Sequence, residues 1–344
     1  MFKNLIVYRI GPEWVPDLTV AEQALAKEPF VPCAPSQPLS LGWVPPRGIE
    51  HAPFVESIGG QWLVKLKLEQ KMLPASVVKR RTDEIAAQIE QSTGRKPGKK
   101  QSKELKEQAT HELLPMAFTK QAHVLAWIDP ERRLLMVDAG STKRAEAVVT
   151  PLVKAWEGFA LRPLQTRLSP AVAMAAWLTQ GEAPAGFSID RECELKSQDE
   201  MKSVVRYARH ALDIDEVREH IAQGKAPTRL AMTWAGRVGF TLTEQGVIRK
   251  LAFEDVVFEG RQGSADRPEE AFDTDAAIAT GELCQLIPDL VEALDGELQP
   301  GELPSELTPA TPAAASGPAD RGAAHAADQT SPAAAQDELA PPWA

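Results

Sequence analysis

The chain has 344 residues, of which 43% are hydrophobic and 25% are charged, a composition typical of soluble globular proteins. This length predicts roughly two domains at about 150 residues per domain. No apolar run approaches the ~18 residues of a membrane span, which excludes a transmembrane helix. The three cysteines, Cys33, Cys193 and Cys284, cannot form a disulfide framework or a Cys-x-x-Cys metal site. We therefore expect a protein of the reducing cytoplasm, with no membrane partner.

The net charge of −10 is distributed unevenly along the chain. Residues 254–344 contain three basic and 19 acidic residues, whereas residues 1–253 contain 35 basic and 29 acidic ones. Within residues 61–120 there are 13 basic and seven acidic residues. A basic body with an acidic end suggests a polyanionic partner, but composition alone favours the plainer interpretation of a solvated helical face.

The first half of the chain predicts strands alternating with helices. Phe30–Pro46 contains five prolines and is expected to be extended or turning. Strands are expected at residues 5–10, 61–69, 124–128 and 134–137, the last two forming a hairpin. Helices are expected at residues 19–27, from Pro74 to the basic segment 93–103, from that segment to Leu114, from Ser141 to Trp156, and from Ser169 to Gly181.

The second half predicts a helix flanked by strands. Asp213 and Glu216 have the spacing of a capping box, and Gly224 ends the helix that they begin. Strands are expected at residues 187–196, 203–209, 230–234, 238–242 and 247–253.

This order of elements predicts an α+β fold, with antiparallel sheets and helices packed on them. Strands, helix and hairpin occur in that order at 61–138 and again at 187–253, which suggests an internal pseudo-repeat. We expect one folded region over residues 1–298, with halves of approximately 1–160 and 161–298. Residues 299–344 contain 14 Ala and eight Pro and predict a disordered, acidic Ala/Pro-rich tail.

Most catalytic motifs are incomplete in this sequence. Gly94–Lys100 has one residue too few between its glycines for a phosphate-binding loop, and Lys100 stands where that loop needs a hydroxyl. The His-Glu pair at 111–112 is followed by Pro115 where a zinc-binding helix needs its second histidine. We predict no metal site and no cofactor.

One enzymatic alternative stays open at this point. Asp190, Glu194 and Lys196 give the order Asp…Glu-x-Lys found in metal-dependent nucleases, where carboxylates hold magnesium near the scissile phosphate. The same order also arises by chance on an exposed strand face, which is the more frequent case.

Basic side chains are the remaining functional signal. Lysine and arginine neutralise phosphates and release counterions, so they bind nucleic acid without reading bases. The candidate DNA contacts are Lys65, Lys67, Lys79, Arg80, Arg81, Lys96, Lys99, Lys100, Arg206, Arg209 and His210, with Lys103, Lys106, Lys143 and Arg144 as further basic positions.

Short sequence blocks along the chain resemble those of the recombination-associated protein RdgC family. They begin with Phe2–Arg9 and run in the family's order to about residue 297. The others are Phe30–Cys33, Gly42–Pro46, Lys71–Pro74, Leu113–Phe118, Trp127–Asp129, Leu135–Asp138, Gly186–Phe187, Glu194–Lys196 and Thr280–Leu283.

The resemblance implies a non-enzymatic protein that binds duplex DNA, and also single strands, without sequence preference. It further implies a homodimer closed into a ring with a basic inner surface. Such a protein would associate with the nucleoid and restrain RecA by occupying its DNA. The family's basic strand-to-helix region falls on Arg206, Arg209 and His210, with Ala208 where relatives can carry lysine. Phe118 matches an aromatic of a ring-closing contact; without the family, a core residue beneath Pro115 would be the simpler interpretation.

Overall fold

A computed structural model describes residues 2–258 and 268–303 of the chain. The predicted tail therefore lies outside the described residues from 304 onward. The predicted α+β class is confirmed, since two antiparallel sheets carry helices. Among the described residues, none of the helices combines the length and the apolarity needed to span a bilayer.

The first sheet contains seven strands from the first half of the chain. Its strand order is β2-β4-β5-β6-β1-β7, and β3 pairs with β4 beside this path. The strands are β1 (Ile6–Ile10), β2 (Leu39–Val44), β3 (Val55–Ile58), β4 (Gln61–Met72), β5 (Phe118–Asp129), β6 (Leu134–Val137) and β7 (Leu161–Pro163).

The second sheet contains five strands in the order β12-β11-β10-β8-β9. They are β8 (Phe187–Ser197), β9 (Val204–Ala208), β10 (Lys225–Trp234), β11 (Val238–Thr243) and β12 (Ile248–Phe253). The two sheets share one topological feature: a long strand pairs with a later strand across a helical insertion. In the first sheet β4 pairs with β5, and in the second β8 pairs with β10. The division into halves at about residue 160 stays a prediction.

Six of the seven α-helices in the described part of the chain lie where the sequence predicts them. Ser169 accepts a hydrogen bond from the Val172 amide at the start of the fifth helix, and Gly181 ends that helix with φ of 73°. The helices are α1 (Leu18–Leu25), α2 (Ala75–Thr93), α3 (Lys99–Leu113), α4 (Thr142–Ala155), α5 (Pro170–Gln180), α6 (Asp215–Ala222) and α7 (Pro268–Ala293).

Two helix predictions need correction. The N-cap of α6 is Ile214, without a side-chain cap, so the predicted capping role of Asp213 is wrong. The 26-residue helix α7 was not predicted at all. Gly281 and Pro288 interrupt its sequence, although its buried positions recur at helical spacing: Ala276, Ala279, Leu283, Leu286, Ile287 and Leu290.

Helix α7 contributes to the core that joins the two sheets. Its buried residues share a cluster with Leu63 and Trp127 of the first sheet and with Leu230 and Met232 of the second. The opposite face of the first sheet packs on α1 and α4, in a separate cluster that includes Val64. Leu63 and Val64 are neighbours in β4 but belong to different core clusters, so this strand is covered on both faces at its start.

Helices α2 and α3 form a hairpin with a small core of its own. That core consists of Val78, Ile85, Leu105 and Ala109. The hairpin is inserted between β4 and β5, whose last register pair is Met72 and Phe118. We call residues 73–117 the helical arm.

Candidate nucleic-acid interface

The helical arm carries six of the predicted DNA contacts. Lys79, Arg80, Lys96, Lys99 and Lys100 are exposed. Lys99 and Lys100 lie in the first turn of α3, where the helix dipole is already positive, so this end attracts anions.

Arg81 differs from its neighbours because it connects the two helices of the helical arm. Its Nε donates to Glu112 Oε2 over 2.9 Å, and its Nη1 donates to Glu84 over 3.2 Å. Hydrogen bonds from Gln108 and then from Arg81 hold the pKa of Glu112 below its usual range. The structure therefore gives Arg81 a structural contact between α2 and α3, and its contact with DNA stays a prediction.

Lys65 and Lys67 point from β4 toward the same face of the first sheet. Lys65 is half-buried and its Nζ donates to the Pro46 carbonyl over 2.9 Å, while burial lowers its pKa. The Lys67 Nζ lies 4.6 Å from the centroid of the Phe30 ring. Of the two, Lys67 has the position better suited to an external phosphate.

His123 extends this basic surface onto β5. It lies directly opposite Lys67 in the strand register. Its pKa is lowered by partial burial first and then by the charges of Lys65 and Lys67. The backbone carbonyl of His123 accepts a hydrogen bond of 2.8 Å from Arg144 Nη2, which places the start of α4 beside the same strand.

The second sheet adds a charged cavity of about 420 Å³. Glu194 is one of its lining residues: its Oε2 accepts from Arg206 Nε over 2.6 Å, and its Oε1 accepts from Thr228 over 2.8 Å. Arg229 approaches the same carboxylate at 3.8 Å. The cavity is lined by Asn4, Glu192, Cys193, Glu194, Arg206, Tyr207, Ala208, Arg229, Thr241, Arg249 and Lys250.

Contacts connect this cavity to the first sheet. Arg249 Nη2 donates to the carbonyl of Gly140, immediately before the first turn of α4 with its exposed Lys143 and Arg144. Arg144 in turn reaches His123. Together these side chains form a series of basic residues that passes from one sheet to the other, in which the lysines and arginines carry the positive charge and the lowered pKa of His123 favours its neutral form. We call it the basic band, and it consists of Lys67, His123, Lys143, Arg144, Arg206, Arg229, Arg249 and Lys250.

Arg209 and His210 lie between β9 and α6 and are exposed. Arg209 adopts a left-handed backbone conformation with φ of 58°. The His210 Nδ1 lies 2.8 Å from the Ala211 carbonyl oxygen, and its ring is 6.0 Å from that of Tyr207. Both residues are accessible to a partner, and their contact with DNA stays a prediction.

The structure does not bring the three residues of the nuclease alternative together. The Asp190 carboxylate accepts from Thr233 over 3.0 Å, and Glu194 is held by Arg206 and Thr228. Burial acts to raise the pKa of Glu194, but hydrogen bonds from Thr228 and Arg206 and the nearby guanidinium charges together outweigh it and lower the pKa. Four residues of strand span about 13 Å, too far for two carboxylates to ligate one magnesium ion directly. Among the described residues, no group of three or more His, Cys, Asp and Glu could hold a metal ion.

Phe118 is the most exposed aromatic side chain at the base of the helical arm, with 86% of its surface accessible. The interpretation of Phe118 as a core residue is therefore wrong. Met116 and Met72 nearby are 74% and 50% exposed. We call Met72, Met116 and Phe118 the apolar patch; it offers a flexible, aromatic surface of the kind found at protein interfaces.

Sequence reasoning identified Lys67 and Arg206 but missed Arg229, Arg249 and Lys250 as site residues. Arg229 and Lys250 are exposed and Arg249 is partly exposed, and charged residues at such strand positions need no functional explanation. Only the pairing of β8 with β9 and β10, and of β11 with β10 and β12, brings them to one cavity. The exposed cations at the start of α4 were a signal that could be read from the sequence.

Comparison with known proteins assigns the chain to a family. A family model described as "Putative exonuclease, RdgC" matches residues 1–297. The chain belongs to the RdgC family. It is 46% identical over 300 residues to the recombination-associated protein RdgC of Dechloromonas aromatica, covering 86% of this chain and 98% of that protein.

Other RdgC relatives match to a similar extent. Identity is 44% over 296 residues with the recombination-associated protein RdgC of Cupriavidus pinatubonensis and 40% over 296 residues with that of Bordetella pertussis. Each alignment covers 86% of this chain and 98% of the relative. The predicted family is thus confirmed. The names of these relatives describe recombination proteins, while the description of the family model names a nuclease.

Proposed function

We propose that this chain is a recombination-associated protein that binds duplex DNA without sequence preference. The basic band carries the proposal, because it presents guanidinium and ammonium groups from both sheets along one connected surface. Lys143 and Arg144 also lie in the first turn of α4, and Lys99 and Lys100 in that of α3. Helix N-termini favour phosphate contacts, which position a protein on DNA without reading its sequence.

The role in recombination is supported by the names of the relatives. A protein that covers DNA without sequence preference competes with a recombinase for the same strands. We propose that the chain restrains RecA in this way, on duplex DNA and also on single strands, as a cytoplasmic protein associated with the nucleoid.

The proposed assembly is a homodimer closed into a ring. A two-fold dimer closes into a ring only when each subunit supplies two separate self-complementary contacts. The apolar patch supports one such contact, since Phe118 is accessible and carries two methionine neighbours. A ring would retain DNA through enclosure as well as through charge.

Salt dependence tests the DNA-binding proposal. We expect the logarithm of the affinity for duplex DNA to fall linearly with the logarithm of salt concentration, with a slope of about −0.9 for each neutralised phosphate. Equilibrium binding to several unrelated duplexes at each salt concentration measures it. A preference of ~100-fold or more for one sequence at fixed salt would contradict sequence-independent binding, because specific readers show at least ~10³.

The same samples test the nuclease alternative. End-labelled duplex incubated with the protein and magnesium should keep its full length, because Asp190 and Glu194 are held apart by their own partners. Progressive shortening of the DNA that Glu194→Gln abolishes would instead support the nuclease.

Removal of residues 304–344, which form most of the predicted tail, should leave DNA affinity unchanged or slightly higher. Residues 304–344 contain five acidic residues and one arginine, so they add negative charge and no phosphate contact. Truncation after Leu303 keeps the contact of 3.5 Å between Arg167 and Glu302 and the buried Leu298. Titration of one duplex with full-length and truncated protein measures the effect. A large loss of affinity in a truncated protein that melts normally would refute this expectation.

A further inference from the structure

The cavity of the second sheet contains more positive than negative groups. Four cationic side chains line it, namely Arg206, Arg229, Arg249 and Lys250, against the carboxylates of Glu192 and Glu194. Two of the cations are neutralised at short range. Arg206 Nε lies 2.6 Å from Glu194, and Lys250 Nζ lies 2.7 Å from Glu192.

Arg229 and Arg249 are therefore the surplus cations of this cavity. Arg229 reaches only to 3.8 Å from Glu194, and its side chain is 49% exposed. Arg249 donates through Nη2 to the Gly140 carbonyl. Its Nε is buried, yet no acceptor within the described part of the chain satisfies it. A buried donor without an acceptor destabilises the folded state, and an acceptor bound beside Arg249 would remove that cost.

The cavity has the size and chemistry for a phosphate group. Its volume of about 420 Å³ falls within the ~300–1,000 Å³ typical of ligand pockets and leaves room for a sugar beside the phosphate. Planar guanidinium groups match phosphate oxygens with paired donors. Asn4 and Thr241 line the same cavity and add neutral donors.

We propose that this cavity is a phosphate-binding site in which Arg249 and Arg229 hold one phosphate group. The site deepens the proposed function and rests on it for the origin of the ligand, which is a phosphodiester of bound DNA. The shared chemistry also admits a free phosphate or the phosphate of a nucleotide. The basic band would then bind one DNA phosphate inside this cavity and the neighbouring DNA phosphates through exposed side chains.

Two measurements on the full-length protein test the site. The first titrates inorganic phosphate and follows the arginine Nε–Hε signals by NMR, with Arg249 assigned from the signal missing in Arg249→Gln. A saturable shift of that signal is expected, with no shift for Arg167, which lies outside the cavity. The second measures the salt slope of duplex binding. Arg249→Gln and Arg229→Gln should each reduce it by about one, while Arg167→Gln should not.

The outcomes separate this site from the proposed function. A phosphate-dependent shift with a reduced salt slope supports the site and its DNA origin. A shift without a change in slope supports a site for free phosphate or nucleotide. If the wild-type protein binds no DNA but the Arg249 signal still responds, the proposed function fails and the site stands. An unresponsive Arg249 signal together with unchanged slopes in both variants overturns the site. If Arg249→Gln fails to fold, Arg229→Gln decides the test alone: its side chain is 49% exposed, so the variant should fold, and an unchanged salt slope in it overturns the site.

Discussion

Reversing the two charges at the start of α4, by Lys143→Glu together with Arg144→Glu, should weaken duplex binding on the order of 10²-fold at about 0.1 M salt. Each phosphate contact contributes about 0.9 to the logarithmic salt slope, so two lost contacts should lower that slope by about two. Both side chains are exposed. Acidic residues in the first turn of a helix also interact favourably with its dipole, so the folded state should tolerate the change. Titration of one duplex across a salt series measures both quantities.

A matched control distinguishes the effect of the basic band on DNA affinity from the effect of net charge. Lys27 and Lys154 are exposed and lie outside the band, the latter in the last turn of α4. The start and end of this 14-residue helix are about 20 Å apart. Lys27→Glu with Lys154→Glu changes the net charge equally and should cost no more than a few-fold in affinity. Equal losses of DNA affinity in both double variants would show that the protein's overall charge drives binding. That result would contradict the assignment of the basic band as the DNA interface.

Phe118→Ala should release the protein from closed circular DNA at least about 30-fold faster while leaving the melting temperature nearly unchanged. An aromatic anchor at an interface typically contributes 2 kcal/mol or more, and about 1.4 kcal/mol corresponds to a factor of ten. The side chain is 86% exposed, so its removal creates no core cavity. A core phenylalanine would instead cost about 3–5 kcal/mol of folding stability. Dissociation into excess competitor DNA, with thermal melting of the same sample, separates the two effects.

Met201 offers a matched control for this variant. It is also 86% exposed and lies between β8 and β9, away from the apolar patch. Met201→Ala should leave retention on circular DNA and the subunit mass measured by light scattering unchanged. Linear duplex, which a ring can leave by sliding off an end, should show a smaller effect of Phe118→Ala than a circle does. Unaltered retention in a well-folded Phe118→Ala protein would remove Phe118 from the ring contact.

Local sequence signals determined most of the elements of this fold. Pro74, Pro115 and Ser169 mark helix boundaries because proline and N-cap residues act on the backbone within a single turn. The same local rules failed for α7, where Gly281 and Pro288 weaken the helical pattern. Its stability comes from burial between the sheets, which only distant residues supply.

For the candidate site, the sequence by itself indicated a polyanionic partner and several candidate cations. The basic excess of residues 1–253 and the resemblance to the RdgC family both favour DNA as that partner. The tertiary structure decided which of the cations lie close together. Lys65 donates to the Pro46 carbonyl and Arg81 donates to Glu112. Arg229 and Arg249, by contrast, line the same cavity. Strand pairing decides which cations become neighbours, because it brings together residues that are distant in sequence. The pattern of charges along the chain does not show which strands pair.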